Sequence, residues 1–162
     1  QIPLFYNHKN TGRPLQNGKW FEKFRSNYLD VDNDALYPFG YGLSYTTFQY
    51  GDIVLNTPTM KQNETITATI QVTNSGKYDG AEVVQLYIRD LVGSITRPVR
   101  ELKGFKKIFL KAGESKTVSF KITADLLRFY DYDLNQVTEP GEFDIFIGGS
   151  SQATKTARLT LK

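Results

Sequence analysis

The stretch 65-TITATIQVTN-74 decides the fold, because it places an apolar residue at every second position. Ile66, Ala68, Ile70 and Val72 share one face, and threonines with Gln71 occupy the other. A period of two is typical of a β-strand that buries one face. The stretch therefore predicts a long strand whose inward face needs a covering layer.

A second patterned run, 81-AEVVQLYIR-89, follows after the turn 74-NSGKYDG-80. The run places Val84, Leu86 and Ile88 on one face, with Val83, Gln85 and Tyr87 on the other. The turn contains two glycines for positive φ angles and an Asn-Ser start that can bond to the local backbone. The two runs predict a pair of strands whose inward faces are covered by a second sheet.

Further strands are predicted on either side of this pair, in the region from Phe48 to Lys162. Residues 48–55 form a first strand with Ile53 and Leu55 inward, and 56–63 a polar loop. Residues 102–110 are apolar on both faces, which predicts a bulge near Lys106 and Lys107. Residues 124–128 suit a helical turn, and residues 118–122, 143–147 and 157–161 alternate again.

Seven strands with few helical signals and frequent turns are typical of an all-β, antiparallel sandwich of the immunoglobulin or fibronectin type III kind. An irregular N-terminal extension, residues 1–47, precedes the sandwich. The predicted core comprises Ile66, Ile70, Val72, Val84, Leu86, Ile88, Phe120, Ile122, Phe143, Ile145 and Leu159.

Residues 1–47 differ from the rest, because they are rich in aromatics but show no sustained period of 2 or 3.6. The aromatics are Phe5, Tyr6, Trp20, Phe21, Phe24, Tyr28, Tyr37, Phe39, Tyr41 and Tyr45. So short a segment cannot enclose its own core without disulfides or metals. We expect it to pack partly on the following domain and partly on a surface outside this chain; a flexible tail is the alternative.

Composition restricts the possible classes of protein. The chain has 162 residues, of which 40% are hydrophobic and 23% charged, and it contains no cysteine. These values indicate a globular domain without a disulfide framework or thiolate zinc site. No apolar run is long enough for a membrane-spanning helix and no signal-peptide pattern is visible, so we expect no membrane partner. Because the chain begins at Gln1 without a methionine, we expect a piece of a longer protein.

Several ordered motifs resemble one enzyme family. They are 37-YPFGYGLSYTTF-48, 72-VTNSG-76, 80-GAEVVQLY-87 and 97-RPVRELKGF-105. Together they resemble the C-terminal region of family 3 glycoside hydrolases, of the bacterial periplasmic β-glucosidase type. The resemblance implies that residues 48–162 are the fibronectin type III-like domain of such an enzyme. Residues 1–47 would be the tail of the preceding α/β domain and the linker.

The resemblance also implies a function and a location. The parent would be a retaining, periplasmic or secreted β-glucosidase that hydrolyses terminal β-D-glucosyl residues. This chain would be its non-catalytic accessory domain, with the preceding catalytic domains of the same polypeptide as partner. The candidate docking residues are Trp20, Phe21, Tyr37, Phe39, Tyr41 and Tyr45.

Catalytic and metal sites are not expected in this chain. In the family that it resembles, the nucleophilic Asp and the acid/base Glu precede the part present here, so no catalytic residue is assigned. The run from Asp131 to Glu142 resembles the ligand spacing of a calcium loop, but Gln136 occupies the position that requires glycine. His8 is the only histidine, which leaves no triad or multi-histidine metal site. We expect no metal and no cofactor.

Two alternative functions are consistent with parts of the sequence. The lysines and arginines between Arg97 and Lys121 could suggest nucleic acid, but strand lysines commonly prevent edge-to-edge pairing, so no nucleic-acid partner is expected. A free-standing sugar-binding or adhesive sandwich is the other possibility, with Trp20 or Tyr132 stacking on a sugar. The sequence carries no signal for the oligomeric state.

Overall fold

The computed structural model describes residues 5–10, 12–13 and 23–162. Its strands are β1 (Phe48–Tyr50), β2 (Val54–Leu55), β3 (Thr59–Met60), β4 (Thr65–Asn74), β5 (Gly80–Asp90), β6 (Glu101–Leu110), β7 (Ser115–Thr123), β8 (Phe129–Tyr130), β9 (Gln136–Val137), β10 (Gly141–Gly148) and β11 (Lys155–Leu161). One helical turn, α1 (Ala124–Leu127), follows β7. Among the described residues, no helix is long and apolar enough to cross a membrane.

The long strands form two facing sheets. In the first sheet, β4 pairs with β1 and β2 along one edge and with β7 along the other. The second sheet has the order β3-β11-β10-β5-β6. All neighbours are antiparallel except β3 and β11, which are parallel. The predicted antiparallel, fibronectin type III-like sandwich is confirmed, with β1 and β2 together forming the first of its seven strands.

The core lies between the two sheets and contains every residue predicted for it. Leu86, Ile145 and Leu159 of the second sheet face Ile66, Ile70 and Ile122 of the first, and all six are almost completely buried. The predicted turn at residues 124–128 is present as α1, whose Leu127 closes one end of the core. The period-two pattern thus identified the inward faces correctly.

The first predicted strand is interrupted. Tyr50 pairs with Val72 and Val54 pairs with Thr69, so three residues of the edge strand lie opposite two of β4. The extra residue is a β-bulge, and Gly51 maintains the pairing there by donating its amide to Gln71 O at 2.9 Å. Ile53 and Leu55 still pack against the core as predicted.

The segment predicted as a polar loop, residues 56–63, contains a short strand. Strand β3 lies beside β11, where the Thr160 amide donates to Pro58 O and the Lys162 amide donates to Met60 O, both at 2.9 Å. The Met60 side chain is 1% exposed. A single buried methionine produces no alternation, which is why the loop prediction was wrong for these two residues.

The bulge predicted near Lys106 and Lys107 is also wrong. Leu86 pairs with Gly104 and Tyr87 with Leu102, so the extra residue in β6 is Lys103. Beyond this point, Phe105 and Phe109 point away from the core, while Ile108 and Leu110 point into it. Apolar residues therefore lie on both faces of β6, and those on the outer face do not belong to the core.

Candidate functional site

The outer face of the second sheet is where the N-terminal segment lies. Gln85 and Tyr87 of β5 point away from the core, yet both are buried, and Tyr87 is 0% exposed. Strand β5 is therefore covered on both faces over its central residues. Sequence alternation separated these two faces correctly but could not reveal that the polar one is covered.

Aromatic rings cover Tyr87. The Tyr6 ring meets the Tyr87 ring edge-on at 6.0 Å between centroids, and the Phe39 ring stacks on Tyr6 at 4.1 Å. The Tyr87 hydroxyl, enclosed by this packing, donates to Gln85 Oε1 at 2.5 Å. Burial raises the pKa of Tyr87 to about 12. The two rings of the segment thus replace solvent over the centre of the sheet.

The Gln85 amide links the segment to the sheet. Its Nε2 donates to Gly40 O at 3.0 Å and to Gly149 O at 2.7 Å. Gly40 has φ 78°, which places its carbonyl over β5, and a side chain there would collide with the Gln85 amide. The Ser151 amide adds a bond to Phe39 O at 2.8 Å. Backbone carbonyls of the segment therefore provide much of its attachment.

Arg100 supports the turn that receives the segment. Its guanidinium lies over the Phe146 ring, 3.9 Å from the centroid, and donates to the carbonyls of Ser151 and Ala153. Burial lowers the pKa of Arg100 from its ordinary value. The cation therefore holds the β10–β11 turn in position beneath residues 38–40.

Two further contacts hold the segment at its ends. Near its start, the Val99 amide donates to His8 O at 2.9 Å, and Lys9 forms a β-bridge with Pro98. Near its end, the Thr46 hydroxyl donates to Asn74 Oδ1 at 2.6 Å and the Ser75 amide donates to Thr47 O at 2.9 Å. The expectation that the segment packs partly on the following domain is met by these contacts of the described residues.

The opposite side of the segment presents its side chains to solvent. Tyr37 and Tyr45 are 71% and 97% exposed, and Phe39 and Tyr41 are about half exposed. The Tyr37 and Tyr41 rings are 5.8 Å apart. Trp20 and Phe21, the other two predicted docking residues, lie outside the described residues. Other large apolar residues are exposed nearby in sequence: Phe24, Leu29, Val31, Leu36 and Leu43.

A groove of about 320 Å³ lies beside Tyr41, between Gly149 and Lys155. On its wall the Tyr50 hydroxyl donates to Glu82 Oε1 at 2.7 Å, and burial raises the pKa of both groups. Glu82 is the only carboxylate among the described residues that line this groove. A retaining glycosidase requires two carboxyl groups roughly 5 to 5.5 Å apart, so this groove lacks that arrangement.

In the loop whose ligand spacing resembles a calcium site, the carboxylates bind other groups of the protein. Asp131 Oδ1 accepts the Asn135 amide at 2.9 Å, and Glu142 Oε2 accepts from Arg158 at 2.6 Å. The carboxylates at the two ends of the motif are thus engaged separately. In the part of the chain that the structure describes, no group of three or more potential metal ligands is gathered.

One buried charge cluster was not predicted from the sequence. Arg97 lies over the Phe129 ring at 4.2 Å, with Glu101 at 2.9 Å and Asp90 at 3.6 Å from its nitrogens. Burial raises the pKa of Asp90, while the Arg97 charge opposes that shift. The cluster holds the loop between β5 and β6, and the spacing of its members in sequence gives no sign of it.

The chain matches known proteins both in sequence and in structure. The fibronectin type III-like domain family matches residues 82–151. The structure of a β-glucosidase from Listeria innocua superposes with a TM-score of 0.92 at 39% identity, over 99% of this chain and 22% of that one. A periplasmic β-glucosidase of Salmonella typhimurium is 49% identical over 161 residues, covering 99% of this chain and 21% of the relative.

The chain is similar to the C-terminal region of family 3 glycoside hydrolases, and it contains a fibronectin type III-like domain. This region spans about a fifth of the length of the relatives that it matches. A β-xylosidase of Formosa agariphila is also similar, at 44% identity over 164 residues, all of this chain and 22% of the relative. The resemblance that the sequence motifs indicated is therefore confirmed. The similar proteins include one named as a β-glucosidase and one named as a β-xylosidase.

Proposed function

We propose that this fibronectin type III-like region is a non-catalytic accessory domain of a β-glucosidase-like enzyme that hydrolyses terminal β-D-glucosyl residues. Its task is to stabilise the preceding catalytic domains of the same polypeptide. Residues 48–162 are the sandwich, and residues 1–47 are the tail of the preceding α/β domain with the linker. By analogy with the Salmonella relative, the enzyme works in the periplasm or outside the cell.

The observation that carries the proposal is the two-sided character of the N-terminal segment. One side is held to the sandwich by Tyr6, Gly40 and Thr46, while the other presents exposed Tyr37 and Tyr45. Exposed aromatics in a fixed position are costly in water and are typical of an interface. A rigid surface also loses little entropy when a partner covers it.

The docking residues in this proposal are Trp20, Phe21, Tyr37, Phe39, Tyr41 and Tyr45. Of these, Phe39 has two roles, because its ring stacks on Tyr6 and its carbonyl accepts from Ser151. Tyr37, Tyr41 and Tyr45 have large exposed rings that can contribute contact area without disturbing the sandwich. We expect most of the docking free energy to come from a few such rings.

The experiment compares the full-length enzyme with the isolated 162-residue chain. Replacing Tyr37 and Phe39 by Ala should lower the melting temperature of the full-length enzyme, because contact area with the catalytic domains is lost. The isolated chain should stay folded, since the core between its two sheets is unchanged.

Tyr132→Ala is the matched control, because Tyr132 is 90% exposed on a different loop. Equal melting temperatures for the parent enzyme, the double variant and the control would refute the docking role. Titration of the isolated chain with oligosaccharides tests the alternative of a free-standing sugar-binding module. Saturable binding that Tyr132→Ala abolishes would favour that alternative.

A further inference from the structure

The apolar surface on the outer face of the second sheet continues beyond the N-terminal segment. Phe105 pairs with Gln85, Lys107 with Val83, and Phe109 with Ala81, all on the face that points away from the core. Phe105 and Phe109 are 67% and 61% exposed, and Val83 is also exposed. We call Val83, Phe105 and Phe109 the β5–β6 stripe.

The stripe adjoins the segment directly. Gln85, whose amide donates to Gly40 O, lies opposite Phe105 in the neighbouring strand. Residues that lie opposite one another in an antiparallel pair have side chains in contact range. The aromatic side of the segment and the stripe therefore border one another on the same side of the molecule.

A strand face that is exposed to water does not require large apolar residues such as the phenylalanines and the valine of the stripe. The outer face of β10 and β11 provides a comparison within the same sheet, because there the half-exposed Arg158 binds Asp144 at 2.7 Å and Glu142 at 2.6 Å. That end of the face has several charged side chains, whereas the β5–β6 end has two phenylalanines and a valine around a single exposed lysine, Lys107. Large exposed apolar side chains grouped in this way are typical of a surface that a partner covers.

We infer that the β5–β6 stripe is a second docking surface for the preceding catalytic part of the same polypeptide. This inference rests on the proposed function. The relatives have about four-fifths of their length outside the matched region, which supplies a partner of sufficient size. A covalently linked partner also has a high effective concentration at a surface beside the linker, which favours it over a second copy of the chain.

Cysteine labelling tests the inference, because the chain itself has no cysteine. Phe109→Cys and Val83→Cys are made separately in the full-length enzyme and in the isolated chain. Modification by a maleimide is followed by mass spectrometry of the peptide that carries the new cysteine. We expect labelling in the full-length enzyme to be slower than in the isolated chain by about tenfold or more.

Three further cysteine variants distinguish a failure of this inference from a failure of the proposed docking of the N-terminal segment. Lys121→Cys should be labelled equally fast in both proteins, since Lys121 is exposed on β7 of the other sheet. Tyr37→Cys and Tyr45→Cys report on the proposed docking of the segment. Protection of these two without protection of the stripe would overturn only the present inference, whereas labelling at full rate at all four docking positions would overturn both.

The dependence of labelling on protein concentration distinguishes the two possible occupants of the stripe, which are the catalytic part of the same polypeptide and a second copy of the chain. Protection that is the same at low and high concentration of the full-length enzyme supports an intramolecular partner. Protection that disappears on dilution, together with a fall in mass by light scattering, would show a second copy on the stripe and overturn the inference. Two substituted positions on neighbouring strands keep the test informative if one variant does not fold.

Discussion

The Thr46 hydroxyl donates to Asn74 Oδ1 at 2.6 Å, so the last residues of the N-terminal segment are joined to the end of β4. Asn74 is completely buried, and its Nδ2 donates to Tyr78 O at 2.8 Å and to Leu110 O at 3.1 Å. One side chain thus connects the segment, the β4–β5 turn and the end of β6. Such a fully bonded buried amide is expensive to disturb.

Asn74→Ala should lower the free energy of unfolding of the chain by about 2 to 4 kcal/mol, because several buried groups lose their partner at once. Urea denaturation followed by circular dichroism measures the change. Asn63→Ala, at an exposed position, is the control and should change stability by less than about 0.5 kcal/mol. Equal effects of the two variants would contradict the role assigned to Asn74.

Leu86→Ala should cost about 2 to 5 kcal/mol, because Leu86 is 1% exposed and its removal leaves a cavity between the sheets. Val54→Ala, at an exposed edge position, should cost far less. Chemical denaturation of both variants gives the comparison. A change near zero for Leu86→Ala would mean that its side chain does not face the core.

Tyr87 should make the chain less stable in alkali. The unfolded chain releases a tyrosine proton near pH 10, whereas folded Tyr87 retains its proton to about 12. Stability due to this group is therefore complete below pH 10 and is lost as pH rises from 10 to 12. One such group changes the free energy of unfolding by at most about 1.4 kcal/mol per pH unit.

Tyr87→Phe removes this contribution, so the loss of stability between pH 10 and 12 should become shallower. Urea denaturation at half-unit pH intervals measures the slope for each protein. Tyr132→Phe, at a 90% exposed tyrosine, is the matched control for the loss of a tyrosine hydroxyl. A wild-type slope in the Tyr87→Phe variant would show that Tyr87 ionises in the folded state as it does in the unfolded one.

The isolated chain should hydrolyse no aryl β-glucoside. The two carboxyl-bearing motifs of the family match nothing in this sequence, and the groove at Glu82 offers a single carboxylate among the described residues. Release of nitrophenol from a chromogenic glucoside by the purified chain is the measurement, with the full-length enzyme as positive control. Turnover abolished by Glu82→Gln would overturn the assignment.

The fold was predictable because the inward faces follow a strict period of two. Ile66 to Val72 and Val84 to Ile88 identified two central strands, and the turn between them uses Asn74 locally, bonding the Gly76 amide and Tyr78 O as expected. What local pattern cannot show is pairing over a distance. The bonds from Asn74 to Thr46 and Leu110 join residues 28 and 36 positions apart.

The candidate site was predictable only in outline. An excess of aromatics without periodicity indicated that residues 1–47 lie on other surfaces, but not that Tyr6 covers Tyr87 or that Gly40 meets Gln85. Nor did alternation place the bulge of β6, because Phe105 and Phe109 are apolar although their side chains point away from the core. Residues on a covered outer face follow the chemistry of their partner, which the sequence of the strand does not encode.

The main-chain attachment of the N-terminal segment has an evolutionary consequence. The carbonyls of His8 and Phe39 accept the bonds from the Val99 and Ser151 amides, and a carbonyl is present whatever the side chain. Mutations at Tyr37, Tyr41 or Tyr45 can therefore alter the surface offered to a neighbour while the fastening stays intact. A lineage could exchange these rings one at a time as its neighbouring domain diverged, with the sandwich serving as an unchanged frame.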